Sequence, residues 1–187
     1  MGSYLNLIGS IIIGGMMLLI INNYNSSLSQ TSHERTLDAI TTYSASGIAK
    51  LIEYDFNRMG LRVPQTDTII SRADSSRIIF LSDIDNNGNI DIVEYVLSIP
   101  DEASGTENPR DRILYRRVNN EPLRDAALGV TRFRIRYFNK LGNITTNVTQ
   151  IKSFEIILWV ESTFPYDDRY SVFHWQTKIS PPNLTRF

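Results

Sequence analysis

From Met1 to His33 the chain holds no Lys, Arg, Asp or Glu, and residues 7–21 contain only Ile, Leu, Met, Gly and Ser. A bilayer-spanning helix takes about 17–25 mainly apolar residues, and extending the run back to Tyr4 admits one polar side chain, Asn6. Two other fates compete for such a segment. A cleaved signal peptide calls for a positive n-region and an A-x-A-like site, and neither precedes the polar stretch 22–32. A buried core helix calls for a second helix of like character to cover it, and the remaining sequence contains none. The segment is therefore expected to persist as a helix that meets lipid or other protein chains.

The helical period continues past it. Leu37, Ile40, Ser44, Ile48, Leu51, Tyr54 and Met59 recur at spacings of three to five, with Glu34, Asp38, Lys50, Glu53, Asp55 and Arg58 as the polar positions. Gly60 stands at a natural C′ position, with Pro64 beyond it as a stop. Residues 4–59 thus read as one helix, loosened around 22–32 where Asn and Ser are poor helix formers. At about 1.5 Å per residue it is roughly 80 Å long, more than the remaining domain can bury. Gly9, Gly14 and Gly15, with Ser10 four before Gly14, suit close helix approach or simply the glycine content of membrane helices. The expected assembly stripe is Leu7, Ile11, Gly14, Leu18 and Ile21. Only Arg35 and Lys50 are available to the positive-inside rule.

From Thr66 the period changes to alternation. Residues 69–73, 77–82, 91–98, 113–119, 130–138, 153–161 and 170–179 read as strands, with hairpin signals at Asn87-Gly88 and Leu141-Gly142-Asn143. Residues 101–112, rich in Ser, Gly, Asn and Pro, read as an exposed loop. On 130–138, Val130, Phe133, Ile135 and Tyr137 mark the buried side and Arg132, Arg134 and Arg136 the other, placed beside Arg116 and Arg117. Trp159 falls on the polar side of its strand, expected under the C-terminal tail. The fold class is α+β: a long N-terminal helix whose second half packs on a mainly antiparallel sheet. Three regions follow: 1–33, the uncharged helix and polar junction; 34–60, its amphipathic continuation; and 61–187, a β-rich domain.

With 187 residues, 19 basic against 20 acidic side chains and no cysteine, the chain is no general polyanion binder and has no disulfide framework or Cys-based zinc site. Two histidines exclude a His-rich metal site. His174 has Ser171 and Asp167 or Asp168 near it, but no nucleophile elbow, P-loop, GxGxxG or HExxH accompanies them, so no enzyme is expected. Asp83, Asp85, Asn87, Asn89, Asp91 and Glu94, with Gly88 between, follow the spacing of a calcium-binding EF-hand loop. Their flanks alternate like strands, so an Asx-rich hairpin turn is the preferred reading of the same residues, and a strand would point Glu94 away from the loop. Residues 83–109 hold seven acidic and no basic side chains, whereas 110–140 hold nine basic and three acidic. Such an asymmetry suits docking of neighbouring subunits or charges paired within one face. The arginine row could also track phosphates, but with no exposed aromatics interleaved, nucleic acid is not an expected partner. Four N-x-S/T sequons, at Asn25, Asn143, Asn147 and Asn183, matter only where a glycosylation system meets the domain.

An apolar N-terminal helix is followed in order by IEYDFNRMG, RIIFLSDIDNNGNIDIVEYVLS, LYRRV, GVTRFRIRYF, EIILWVES and a closing WQTKISPPNL. This ordered set resembles type IV pilin-like proteins, in particular the minor pilins and minor pseudopilins of the PilW and GspJ kind. The resemblance covers nearly everything from Leu37 onward. It implies a structural subunit of a pilus-like or type II secretion pseudopilus-like filament, with copies of itself or other pilin-like subunits and an assembly machinery as partners. It also implies an inner-membrane stage, with the β domain outside, before a surface or periplasmic filament forms. The family's basic leader and G-F-T-L-x-E are not matched. With Met1 removed, Asn6 stands fifth where the family carries a Glu, a departure that suits a tip position in the filament or a non-standard system. The alternative from a different class is a singly membrane-anchored extracytoplasmic binding module, stabilised by Ca²⁺ at 83–94.

Overall fold

The computed structural model describes residues 2–64, 66–165 and 168–185. Helix α1 spans Gly2–Arg58 without interruption. The Asn- and Ser-rich stretch expected to loosen it stays helical, and hydroxyls in and just after it turn back onto the helix's own carbonyls: Thr31 Oγ1 donates to Ser27 O at 3.0 Å and Thr36 Oγ1 to Ser32 O at 2.8 Å. At the far end Gly60 sits at φ +76° and donates its N–H to Leu81 O at 2.9 Å. A Cβ there would crowd Ile69 Cδ1 at 2.8 Å, which that side chain could relieve by turning aside, so it is the left-handed backbone conformation that calls for glycine at this helix stop. The last carbonyls are satisfied from outside the helix, Arg58 O by Ser82 Oγ at 2.7 Å and Met59 O by Asn183 Nδ2 at 3.3 Å.

The strands form two antiparallel sheets where one was expected. The first is a meander of β1 (Ile70–Ala73), β2 (Arg77–Ser82), β3 (Asp91–Leu97), β4 (Leu114–Val118) and β5 (Arg124–Ala127). β6 (Val130–Phe138), β7 (Ser153–Glu161) and β8 (Val172–Ile179) make the second. β5 escapes a reading by alternation because four residues at a sheet edge carry almost no period. Between the sheets, Gly129 adopts φ +82° and a Cβ on it would come within 2.5 Å of Glu161 O, so the chain crosses where only glycine fits. The turn at Leu141-Gly142-Asn143 forms, closed by Asn139 N to Asn143 O at 2.9 Å, inside a longer link between β6 and β7.

The second half of α1 meets the inner faces of both sheets. Phe56 lies 5.7 Å from Phe80 and 6.0 Å from Tyr95 of the first sheet, and edge-on at 5.4 Å to Phe154 of the second. Its buried stripe is Thr41, Ala45, Ile48, Ala49, Ile52, Asp55, Phe56 and Met59. This differs from the apolar face expected from the sequence: Ile40 and Tyr54 are exposed, whereas Asp55, assigned to the polar side, is wholly buried. The sheets grip the side that carries Ile48, Ile52 and Phe56 along with the small residues at 41, 45 and 49, so Ile40 and Tyr54, one position from Thr41 and from Asp55, are turned outward. The loop after β3, expected to be exposed, begins with a 3₁₀ turn at Pro100–Ala103 and buries Ala103, Asn108 and Asp111.

Candidate functional site

Two features carry chemistry or contact: the projecting half of α1 and the acidic β2–β3 turn. On the helix, Leu7, Ile11, Gly14, Leu18 and Ile21 fall at alternating spacings of four and three, hence on one stripe. The stripe is bare, with Leu7 59%, Ile11 65%, Leu18 69% and Ile21 55% exposed. Its other sides are bare and apolar too, including Ile8, Ile12, Ile13, Met16, Met17, Leu19 and Ile20. A helix apolar all round is stable only in lipid or among other chains. Length and composition make α1 able to cross a membrane, and no part of its most apolar stretch is covered by the described residues. A Cβ at Gly9, Gly14 or Gly15 would meet nothing within 4 Å, so packing within this chain gives no reason for those glycines.

In the acidic turn the structure brings together three of the six EF-hand positions. One carboxylate oxygen each from Asp83, Asp85 and Asp91 lies within 4.8 Å of the others. Asp83 is wholly buried; its Oδ2 accepts from Arg62 Nη1 at 2.8 Å and Gly88 N at 3.0 Å, while Oδ1 has no partner among the described residues. Burial opposes ionisation of Asp83, but the Gly88 N–H and the Arg62 guanidinium outweigh it and hold the carboxyl below its usual range. Asp91 accepts Ile84 N at 3.1 Å and Asn119 Nδ2 at 2.7 Å. Asn87 is spent inside the turn, donating to Asp85 Oδ2 at 2.7 Å and accepting Asn89 N at 2.8 Å, while Asn89 is exposed.

Glu94 stands apart from this group. Three residues after Asp91 on a strand of period two, it projects from the opposite face. There it is buried and paired, Oε1 with Arg77 Nε at 2.7 Å and Oε2 with Arg117 Nη2. The carboxylate that would close an EF-hand loop is thus committed to two arginines. Asp83, Asp85 and Asp91 remain chemically suited to a hard cation, with the Arg62 guanidinium already holding one of their oxygens.

The arginines expected on one face are divided. Arg116 reaches inward from β4 and Arg117 outward, whereas Arg132, Arg134 and Arg136 lie on β6 in the other sheet. Trp159 is covered by β-strand neighbours, with the Arg132 guanidinium 4.8 Å over its ring and His174 edge-on at 5.2 Å. His174 is exposed beside it, and Asp167 lies outside the described residues.

One cluster escaped the sequence reading. Asp55 Oδ2 accepts from Tyr95 Oη at 2.6 Å and from Arg116 Nε at 2.7 Å, and Oδ1 takes Arg116 Nη2 at 3.3 Å. Burial first and the Asp55 charge second push the Tyr95 hydroxyl well above its ordinary pKa; for Arg116, burial pulls down but the bond to Asp55 wins and raises it. The only signal in the sequence was a carboxylate one helical turn before the stop at Gly60. No family model matches the chain, and no curated protein matches it.

Proposed function

We propose that this chain is a structural subunit of a type IV pilus-like or type II secretion pseudopilus-like filament. The observation that carries the proposal is the first half of α1: continuous, uncharged through residue 33, apolar on every side over residues 7–21 and uncovered there by the other described residues. Before assembly this half lies in the inner membrane with the β domain outside. During assembly the stripe of Leu7, Ile11, Gly14, Leu18 and Ile21 exchanges lipid for the helices of neighbouring subunits, copies of itself or other pilin-like chains. Glycines with open space around them let those helices approach closely. An assembly machinery of the pilus or secretion type inserts and extracts the subunit, and no catalytic chemistry is required of it.

The decisive experiment is to shear cells, remove membranes, and examine the released material by electron microscopy and mass spectrometry. The chain is expected in filaments of that fraction. Its confinement to the membrane fraction would replace the proposal with the second reading, a singly anchored extracytoplasmic binding module. The convergence of Asp83, Asp85 and Asp91 on a buried carboxylate with one unpartnered oxygen favours that second reading, with calcium as its ligand.

A further inference from the structure

Most arginines of the β domain are matched to a carboxylate: Arg62 to Asp83, Arg77 and Arg117 to Glu94, Arg110 to Glu161, Arg116 to Asp55, Arg124 to Glu121 and Arg136 to Glu155. Arg112, Arg132 and Arg134 have no salt-bridge partner among the described residues, and all three line one cavity of about 470 Å³. The cavity opens where the two sheets meet. Its floor is set by the β1–β2 turn, which docks on the free edge of β6: Ser75 O accepts Ile135 N at 2.8 Å and Asp74 O accepts Tyr137 Oη at 2.5 Å. Ser75, Ser76 and Thr131 complete the polar lining. Asp74, the acidic residue of that turn, is taken by Arg72 at 2.5 Å.

The arrangement concentrates positive charge without answering it. Arg132 and Arg134 leave the same face of β6 about 7 Å apart along the strand, and Arg112 joins them from the segment before β4. Like charges at such range repel, so placing three of them around one concavity favours whatever anion enters it. The Arg132 guanidinium also packs over the ring of Trp159 on β7, outside the cavity lining, which leaves Arg134 and Arg112 as the side chains that test the site. Guanidinium forks beside hydroxyl donors suit oxyanions with two or more acceptor oxygens, and the volume falls in the range of small-molecule sites.

We propose that this cavity is a binding site for a small polyanion bearing phosphate or carboxylate groups. The full chain in neutral detergent is titrated calorimetrically with sodium pyrophosphate and, separately, with sodium citrate, at constant ionic strength near 0.15 M, where non-specific attraction is screened beyond about 8 Å. Saturable binding is expected for at least one probe, weakened about tenfold or more in Arg134→Gln and in Arg112→Gln, and unchanged in Arg124→Gln, whose partner is Glu121 at the surface. Pyrophosphate alone binding assigns a phosphate ligand, citrate alone a carboxylate. Because Arg134 is exposed, its replacement leaves the core untouched, and circular dichroism checks this. Absence of saturable binding by both probes, or binding that survives both cavity substitutions, overturns the proposal.

Discussion

Asp55 is buried with two partners from a sheet far away in sequence, and the energetics of such a site are asymmetric. A paired buried charge contributes little net stability, but removing one partner leaves the other uncompensated at a cost of about 3–5 kcal/mol. Asp55→Asn strips the charge facing Arg116 and is expected to lower urea-unfolding stability of the full chain by that amount. Tyr95→Phe removes only one hydrogen bond, to a charged carboxylate, and is expected to cost about 1.5–3 kcal/mol; a loss below about 1 kcal/mol for both would mean the cluster is solvated. Asp111 presents the opposite case. It is buried, and burial, with Glu161 nearby, outweighs the opposing pull of the Thr106 hydroxyl and Arg110 and raises its pKa above the ordinary carboxylate range. A folded-state pKa above the unfolded one means stability is complete at low pH and declines as pH rises through the folded value. Asp111→Asn is therefore expected to stabilise the protein at pH 7, with the gain shrinking as the pH falls from the raised folded-state value to the ordinary carboxyl range and absent below it. Thermal melts across pH 3–8 check the sign; a gain independent of pH would reject the ionisation argument. Neither residue was legible from sequence, because a helical Asp reads as solvent-facing and a loop Asp reads as exposed until a partner or a covering segment is seen.

In the acidic turn, the spacing of oxygen-bearing residues was fully legible, and so was the strand character of its flanks. Strand period then decided the outcome: Asp91 and Glu94, an odd number of positions apart, cannot serve one site. Three carboxylates with a competing guanidinium correspond to weak calcium binding, about 10⁻³ M, the range of extracellular modules. At 10 mM calcium a site of that affinity contributes about 1.4 kcal/mol, or about 3–6 °C in melting temperature, relative to chelator. Asp85→Asn is expected to abolish that shift, whereas Glu94→Gln is expected to lower stability and leave the shift in place. An identical melting temperature in calcium and chelator removes the cation reading. The amphipathic half of α1 shows a similar limit of pattern reading. Its helical period and its stop at Gly60 were plain, but the buried face carries Thr41, Ala45 and Ala49 along with Ile48, Ile52 and Phe56, and the side that two sheets grip is not recorded in a hydropathy pattern that favours Ile40 and Tyr54.

For the whole molecule, the division of labour between the two halves of α1 yields the sharpest test. Leu18→Lys places a charge on a face that touches nothing in the chain, so the β domain is expected to keep its melting temperature while recovery in sheared filaments drops at least tenfold. Unchanged recovery would make the helix an anchor only. The sequence alone determined that a helix about 80 Å long, uncharged through residue 33, precedes a β domain, since hydrophobic period and the absence of charge are local properties that survive without a fold. It also determined where the helix stops and most of the strands, through glycine, turn chemistry and alternation. Only the tertiary structure decided that the strands part into two sheets, which side of the helix they grip, that Asp55 is sealed between them, and that Glu94 answers arginines. Those outcomes depend on which distant groups share a small volume, where desolvation and charge pairing compete over a few ångströms, and no local pattern along the chain records that competition.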